Sequence, residues 1–501
     1  RGIVLSGLTG SRIFGNTIAD CQHGIRISYS FDNTLASNAI TKDDAAYGIY
    51  LTGDGLYNAI ARNNTVGGVK VRYYHAQDWQ MTVSSLIMAV PRMTNVGQVV
   101  IVNCSYTMSL QSSNITGGDV GLAIIDSVGV QVSDTDLVGN EVGIRIIDSS
   151  EVTVQYTGIW RSTDGVSITG SNKVMFDLNG TIAKCVDGMD IADSSGITVS
   201  KGIGLVDNDV AIRCFNVTKL KLDGTSALLP TLSGNRIGIT MEGGGDPMIL
   251  RGRITGADVG IDMRDTTFIT LGEMEFYGCD VGIRADGVTG MEVEEGLTPL
   301  FELCGIGIHF KGATDVDMVG VEIGNSTQGV LAEGGSHIRL GSLRLRNGDT
   351  GVRVVGGREV WIDGLRFNGT GTGIILDETS SASVNGSASA DADTFLLLDG
   401  ATDVSIRDNT VTNTGTGIDV RGSSEIVLTG NVLAYTATDP LGAPLQGQSG
   451  VCVVTSDGVH VTDMDILNFR QGIHIDNSTN VTVNDTAING SAHRALSVRS
   501  T

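Results

Sequence analysis

The sequence predicts an all-β fold, a right-handed parallel β-helix: a single-chain solenoid with coils of about 22 residues and three short strands per coil. Two observations predict it. A glycine followed by an aliphatic residue recurs along the whole chain, nine of the neighbouring intervals being 22 residues, and the apolar residues between these glycines alternate with period two. A coil of this length cannot bury its own apolar side chains, so each must stack on the next. The alternative, an antiparallel sandwich, would need hairpin turns every 8–12 residues or so and no constant coil length.

The coil that begins at Gly143 illustrates the three bursts of alternation. The first places Ile144 and Ile146 on one side of a strand, the second covers residues 151–155, and the third lies near Gly158. Such alternation puts one set of side chains inside and the other outside, and the Gly and Asn residues between the bursts are typical of tight turns. We therefore expect residues 1–501 to form one continuous β-helix.

Three stretches break the period, at residues 70–116, 223–237 and 433–449. Insertions in solenoids become loops at one corner, often on the working face. For the second and third stretches, neutral insertion into a tolerant turn explains the pattern equally well. Both ends of the chain are already in coil register, so we expect the segment to continue into a larger protein or to have its ends covered by partners.

Charge and cysteine content limit the partners. The formal net charge of −23 argues against nucleic acid, because phosphates would be repelled, and no apolar run reaches the length of a membrane span. Seven cysteines without a C-x-x-C motif favour neither a disulfide framework nor a zinc site. Cys279 and Cys304, in successive coils, could stack closely enough to bridge, but buried free thiols are the favoured interpretation. The dispersed histidines do not favour copper or zinc.

Adding a fixed offset to each coil-starting glycine predicts which outward side chains form a column. An offset of ten residues selects Glu292, Asp317, Arg339 and Trp361 in four successive coils. Residues at offsets of eight and twelve are predicted to face the same side of the coil. The eight residues of this predicted face are Glu292, Asp315, Asp317, His337, Arg339, Glu359, Trp361 and Asp363.

This face suits a polysaccharide. We predict no cofactor, with Ca²⁺ held by the carboxylates as the alternative. Arg339 could pair with a sugar acid, and Trp361 could stack on a pyranose ring. The favoured interpretation, however, is a solvated acidic face balanced by Arg339, with Trp361 either as a single exposed aromatic residue or in a cation–π contact with Arg339.

Twelve Asn-x-Ser/Thr sequons, more than composition alone would give, predict N-glycosylation if the chain is exported. They begin at Asn63, Asn103, Asn114, Asn179, Asn216, Asn325, Asn368, Asn385, Asn477, Asn480, Asn484 and Asn489.

The segments Ser-Ile-Arg-Asp-Asn-Thr-Val (405–411) and Gly-Ile-His-Ile-Asp-Asn-Ser-Thr-Asn-Val-Thr-Val (472–483) carry a family resemblance. They resemble the parallel β-helix repeats of carbohydrate-binding and sugar-hydrolase domains, and those of periplasmic copper-protein-like repeats in prokaryotic surface proteins. The resemblance covers nearly the whole chain and implies the fold. Enzymes of this fold include pectate lyases, polygalacturonases and alginate epimerases. Their motifs Gly-His-Gly, Asn-Thr-Asp, Arg-Ile-Lys and Asp-Pro-His-Glu are absent, so no catalytic residue carries over.

Our leading hypothesis is a non-catalytic extracellular scaffold, structural or adhesive, of the surface-layer, sheath or adhesin type. We expect it to be glycosylated and to associate with itself, with other surface proteins or with polysaccharide. The alternatives are a polysaccharide lyase or another sugar-acting enzyme, and a glycan-binding module.

Overall fold

The computed structural model describes residues 2–21, 23–41, 47–52, 58–61, 63–75, 88–90, 96–104, 107–116, 120–225, 227–437 and 447–499. All regular structure in these ranges is β-strand, and none of them holds a helix with the length and apolar character of a membrane span. The chain divides into two compact units, unit 1 (Arg1–Arg253) and unit 2 (Ile254–Thr501). Within each unit, strands pair in parallel with the equivalent strands of the next coil. The predicted parallel β-helix fold is confirmed.

The strands are short, most of them three or six residues long, and are numbered in chain order. Strands β1 to β30 span Ile3–Ser6, Arg12–Phe14, Thr17–Ile18, His23–Ser28, Thr34–Ala36, Ala39–Ile40, Tyr47–Thr52, Ala59–Ile60, Thr65–Val66, Val69–His75, Met88–Val90, Val96–Val102, Met108–Gln111, Asn114–Thr116, Val120–Ile125, Val130–Ser133, Asp136–Val138, Val142–Ile147, Thr153–Gln155, Gly158–Trp160, Asp164–Thr169, Met175–Asp177, Thr181–Ala183, Asp187–Ala192, Thr198–Ser200, Gly204–Val206, Val210–Phe215, Lys221–Asp223, Thr231–Ser233 and Ile237–Glu242. Strands β31 to β61 span Met248–Thr255, Val259–Arg264, Thr267–Tyr277, Val281–Asp286, Thr289–Val293, Leu300–Glu302, Ile306–Lys311, Thr314–Val319, Glu322–Gly324, Gln328–Glu333, Ser336–Gly341, Arg344–Arg346, Thr350–Val355, Arg358–Asp363, Arg366–Asn368, Thr372–Asp377, Ser380–Asn385, Ala388–Ala390, Thr394–Asp399, Thr402–Arg407, Thr410–Thr412, Thr416–Arg421, Ser424–Thr429, Val432–Ala434, Gly447–Val454, Asp457–Thr462, Asp465–Leu467, Phe469–Asp476, Thr482–Asn484, Ala487–Asn489 and Arg494–Arg499.

The interior of each unit is a stack of aliphatic side chains at equivalent coil positions. In unit 1, Ile144 of β18 pairs in register with Leu122 of β15 and Val166 of β21, and all three side chains are fully buried. In unit 2, Ile261 of β32 pairs with Ile283 of β34 in the same way. A fixed register keeps the apolar side of every strand facing inward, as the period-two pattern predicts.

The glycine before each inner aliphatic residue is required by the close approach of neighbouring coils. A Cβ atom on Gly143 would lie 2.4 Å from Cγ2 of Ile159 and 2.5 Å from the carbonyl oxygen of Gly165. In unit 2, a Cβ atom on Gly329 would lie 2.4 Å from the carbonyl oxygen of Gly351. At both positions an added Cβ atom would require a neighbouring coil to shift, which explains why glycine recurs here in most coils. Ala211 and Phe395 occupy the equivalent position in two other coils.

Turns between strands use left-handed backbone at fixed positions, mostly at Asp, Asn and Gly. Asp148 has a φ of 47° and Asn216 a φ of 51°, values that these residue types tolerate better than most. Beneath the turns, buried polar side chains satisfy the backbone of the preceding coil. The Ser149 hydroxyl accepts a hydrogen bond from the Ser127 amide at 3.1 Å and donates one to the Ile147 carbonyl at 2.7 Å. Repetition of this contact keeps the buried backbone paired.

The stretches predicted to break the period are described in part. In the stretch 223–237, Thr225 and Leu228 make an antiparallel bridge before β29 begins. Parts of the stretches 70–116 and 433–449 lie outside the described residues. That the whole chain forms one continuous β-helix stays a prediction.

The cysteines that could stack, Cys279 and Cys304, are both free and buried, with exposed fractions of 1% and 2%. Their Sγ atoms face the carbonyl oxygens of Tyr277 at 3.9 Å and Glu302 at 3.7 Å. They fill the inner side of a turn as small apolar residues, which agrees with the favoured interpretation.

Candidate functional site

The predicted face lies in unit 2, on the outward side of strands β35, β38, β41 and β44. Glu292 pairs in register with Asp317, Asp317 with Arg339, and Arg339 with Trp361. Equivalent outward positions therefore form the column that the 22-residue spacing predicts. We call the eight predicted residues, Glu292, Asp315, Asp317, His337, Arg339, Glu359, Trp361 and Asp363, the Trp361 face.

Arg339 pairs with carboxylates of the coils on either side of it. Its Nη1 lies 3.2 Å from Oδ2 of Asp317, and its Nε lies 3.9 Å from Oδ2 of Asp363. All three side chains are about half exposed, so each pair contributes on the order of 0–1 kcal/mol. The pairing neutralises the middle of the face without contributing much to stability.

A second column runs beside the first, through His337. Nδ1 of His337 lies 3.7 Å from Oδ1 of Asp315, and Nε2 lies 2.5 Å from Oε2 of Glu359. Asp315, His337 and Glu359 share a left-handed backbone, with φ of 55°, 54° and 53°. Because their backbone conformations match, the side chains leave successive coils in the same direction and meet.

Trp361 is the exposed aromatic residue of the face, with 40% of its surface accessible. Its ring centroid lies 6.3 Å from that of His337, and the two ring planes are inclined by 29°. The next two coils carry only Ser383 and Ser405 at the equivalent position. Since serine is small, neither residue covers the indole on that side, and the exposed ring is bordered by hydroxyl groups.

Metal binding at this face stays a prediction. Across the ranges that the structure describes, no group of three or more His, Cys, Asp or Glu side chains is placed so that it could hold a metal ion. The carboxylates of Asp315, Asp317, Glu359 and Asp363 already contact His337 or Arg339. Calcium would have to compete with these contacts.

The predicted sequon asparagines lie mostly at the surface, and glycosylation stays a prediction. Asn103 and Asn385 are half-buried, and Nδ2 of Asn385 donates to Oδ1 of Asp363 at 3.3 Å. The exposed ones are Asn63, Asn114, Asn179, Asn216, Asn325, Asn368, Asn477, Asn480, Asn484 and Asn489. Asn216 and Asn325 adopt left-handed φ angles of 51° and 50°, so turn geometry by itself accounts for an asparagine there.

The sequence did not reveal a cluster of three carboxylates on strands β21 and β24 of unit 1. Asp164 pairs in register with Asp187, and Asp190 follows on the same strand. Burial, together with the negative charges of Asp190 and Asp187, raises the pKa of Asp164 to about 6. Burial and the charge of Asp187 also raise the pKa of Asp190. Arg213 donates two hydrogen bonds to the Asp187 carboxylate, at 3.1 and 2.8 Å.

A groove of about 730 Å³ in unit 1, next to Asp164, was also missed. Its lining includes Glu141, Arg161, Ser162, Lys184, Val186 and Asp207, and we call it the Lys184 groove. One feature of the sequence could have indicated it. At the inner position of the turn, three residues before the coil-starting position, Asn140 and Asn208 lie on either side of two coils that carry Ser162 and Cys185 instead. Shorter side chains leave space at the turn, but sequence alone does not show whether neighbours fill it.

Fold and face together define a parallel β-helix repeat protein. The family model of the periplasmic copper-binding protein NosD matches residues 1–93 and 296–445, slightly less than half of the chain. This match confirms the resemblance to periplasmic copper-protein-like repeats. Among the described residues, no group of three or more His, Cys, Asp or Glu side chains is placed so that it could hold a metal ion. A comparison with curated protein sequences gives no match.

Several solved structures are similar to this chain at low identity. PfbA, a surface adhesin of Streptococcus pneumoniae, is 12% identical, with 78% of this chain and 83% of that chain covered and a TM-score of 0.26. The A-module of the Azotobacter vinelandii mannuronan C-5 epimerase AlgE6 is 14% identical, with 76% and 91% covered and a TM-score of 0.27. An alginate lyase of a Paenibacillus species is 13% identical, with 62% and 91% covered and a TM-score of 0.19. No residue role carries over at these values.

Proposed function

We propose that this chain is a non-catalytic adhesive scaffold of the cell surface or envelope, which binds polysaccharide through the Trp361 face. The observation that carries the proposal is the uncovered indole of Trp361, 40% exposed beside the paired charges of Arg339 and Asp317. An aromatic ring with one free face stacks well on the C–H side of a sugar ring. Polar side chains around it can accept hydrogen bonds from the sugar hydroxyls or donate hydrogen bonds to them.

The paired charges favour binding over metal-assisted chemistry at this face. A carboxylate that contacts Arg339 or His337 has fewer free acceptor positions for calcium, and the positive charge of Arg339 repels a divalent cation beside Asp317. Stacking on Trp361 has no such cost. We therefore expect polysaccharide binding to persist in a chelator, and a requirement for calcium would contradict this part of the proposal.

The proposal includes an extracellular or envelope location and association with other copies or with other surface proteins. The match of a periplasmic family model to residues 1–93 and 296–445 supports the location, and the exposed sequon asparagines are compatible with it. Immunogold labelling of intact cells should find the protein at the surface or in the envelope, and light scattering over a range of concentrations should detect self-association. Labelling confined to the cytoplasm would contradict the location.

The sharpest test of the face is Trp361→Ala. Polysaccharides of neutral and acidic type are titrated against wild-type and variant chain, and the dissociation constants are compared. We expect the variant to bind about tenfold more weakly, equivalent to roughly 1.4 kcal/mol, because the stacking surface is gone.

Phe215→Ala is the matched control, since Phe215 is a 53% exposed aromatic residue on β27 in unit 1. It should leave the affinity unchanged. Equal affinity of wild-type and Trp361→Ala chains for every polysaccharide that binds would remove the Trp361 face from the proposal.

A second candidate function, a sugar-acting enzyme, is favoured by Asp164. A carboxyl group whose pKa is raised to about 6 beside Asp187 has the protonation behaviour of a general acid. If this candidate holds, purified chain shortens or modifies a polysaccharide with an acidic pH optimum, and Asp164→Asn abolishes that activity. Absence of any product across a panel of neutral and acidic polysaccharides between about pH 5 and pH 8 would remove this candidate.

A further inference from the structure

We propose that the Lys184 groove of unit 1 is a binding site for an acidic saccharide of the uronic acid class, separate from the Trp361 face. The groove is formed by the turns that lead into the first strands of four successive coils, with residues 139–141, 161–163 and 184–186 lining three of them. Its volume of about 730 Å³ lies within the usual range for ligand sites. A saccharide could lie across several coils at once.

The inner turn column carries shorter side chains at two of the coils that form the groove. Asn208 fills the turn fully: its Oδ1 accepts the Cys185 amide at 2.9 Å, and its Nδ2 donates to the Asn235 Oδ1 at 3.1 Å. Ser162 and Cys185 occupy equivalent positions with shorter side chains. Both side chains line the groove.

Two cations stand one coil apart at the rim of the groove. The Arg161 amide donates to the Ala183 carbonyl and the Lys184 amide to the Val206 carbonyl, each at 3.1 Å, which stacks the two residues on successive levels. Within the described part of the chain, no carboxylate pairs with either side chain. Like charges on neighbouring strands, about 4.8 Å apart, repel one another. In a chain of net charge −23, such a pair suits an anionic ligand that relieves the repulsion.

Ser162 supplies an independent indication of a ligand. Its side chain is 94% buried and lines the groove, and its Oγ has no hydrogen-bond partner among the residues that the structure describes. The equivalent hydroxyl in unit 2, Ser326, donates to the Gly324 carbonyl at 3.1 Å. An unpaired buried hydroxyl is costly, and a ligand hydroxyl or carboxylate in the groove would pair with it.

Thr370 and Thr414 of unit 2 also have buried hydroxyls without partners in this turn column. Thr370, however, lines a cavity of only about 10 Å³, too small for any sugar. The combination of an open groove, two unpaired cations and an unpaired hydroxyl belongs to unit 1. Thr370 therefore provides a control for the role of Ser162.

The other groove residues favour a carboxylate sugar over a phosphate or sulfate ester. Glu141 and the exposed Asp207 flank the cations; they would repel a dianion, but they can accept hydrogen bonds from sugar hydroxyls. Val186, which is 52% exposed, offers an apolar contact. One negative charge per sugar, many hydroxyls and an apolar ring face are the properties of a uronate.

The test is calorimetric titration of the full chain with oligogalacturonate and oligomannuronate, compared with the methyl-esterified forms of the same oligosaccharides. We expect the acid form of at least one to bind and its ester to bind at least tenfold more weakly. Arg161→Gln and Lys184→Gln should each weaken binding of the acid form by about tenfold. Lys219→Gln should not, although Lys219 is also an exposed lysine with left-handed backbone, at φ 57°.

Two further comparisons separate this site from structural effects and from the Trp361 face. Ser162→Ala should weaken uronate binding several-fold, whereas Thr370→Val, which also removes an unpaired buried hydroxyl, should leave it unchanged. Trp361→Ala should leave the affinity for short uronates intact, so the two proposals fail independently. The inference is overturned if neither uronate binds, if ester and acid bind equally, if the Arg161 and Lys184 variants keep full affinity, or if sulfated oligosaccharides bind more tightly than uronates.

Discussion

The Trp361 face of unit 2 and the Lys184 groove of unit 1 are both built from columns of equivalent side chains, but they differ in how many polar groups have partners. On the face, Arg339 and His337 each contact carboxylates from neighbouring coils. In the groove, no described carboxylate pairs with Arg161 or Lys184, and the Ser162 hydroxyl has no hydrogen-bond partner among the described residues. The stack of coils is stabilised where each coil supplies a hydrogen-bond or charge partner for the next coil. Interruptions of that pairing are where we expect charged ligands, whereas the paired face offers the exposed ring of Trp361 instead.

The largest effect is expected where the pairing is complete and buried. In unit 2, Asn409 is fully buried: its Oδ1 accepts the Ser387 amide at 2.8 Å, and its Nδ2 donates to Asn431 and to the Val384 carbonyl. Asn409→Ala leaves several buried groups without partners, so we expect the free energy of unfolding to fall by about 3 kcal/mol. Denaturant titration measures it.

Asn368→Ala in the same unit is the control, because Asn368 is exposed on β45. Its effect should stay within about 0.5 kcal/mol. Equal effects of the two substitutions would show that the buried ladder does not hold the coils together.

A smaller effect separates two buried serines of unit 1. Ser149→Ala removes the acceptor for the Ser127 amide and should cost about 1–2 kcal/mol. Ser162→Ala removes an unpaired hydroxyl and should leave the stability unchanged or slightly higher. Thermal unfolding of both variants in the absence of saccharide checks the difference; a destabilised Ser162→Ala chain would mean that this hydroxyl has a structural partner.

The smallest effect concerns pH and the carboxylate cluster. Asp187, Asp190 and Glu141 raise the pKa of Asp164, burial being the largest cause, and Arg145 opposes them. With a pKa of about 6, above the ordinary 3.8, the stability associated with the protonated form is present below about pH 4 and is lost as the pH rises through about 6.

Asp164→Asn mimics the protonated form. After allowance for solvent screening, we expect it to stabilise the chain by about 1 kcal/mol or less at pH 7.5 and to have no effect at pH 4. Denaturation at the two pH values measures this, and stabilisation of equal size at both would contradict the raised pKa.

The fold was predictable because the glycine repeat follows directly from the packing of neighbouring coils. A glycine at Gly143 or Gly329 is forced by the neighbouring coil, so its recurrence in the sequence records the stacking itself. The column of Glu292, Asp317 and Arg339 followed from the same spacing, since parallel strands in fixed register carry equal offsets to the same place.

The groove and the carboxylate cluster were not predictable in the same way. The groove depends on how the turns of four successive coils pack against one another, which a sequence does not show. The raised pKa of Asp164 depends on burial and on Asp190 and Asp187 in the next coil. In the sequence these aspartates look like ordinary solvent-facing strand residues.

The central claim, that this chain binds polysaccharide without cleaving it, is tested most directly in one sample. Polysaccharide is mixed with saturating protein, and size-exclusion chromatography with light scattering follows both complex formation and polymer length. We predict a complex that Trp361→Ala weakens and a polymer whose length stays constant over days. A polymer that becomes shorter, or a chain that forms no complex with any polysaccharide, would contradict the account.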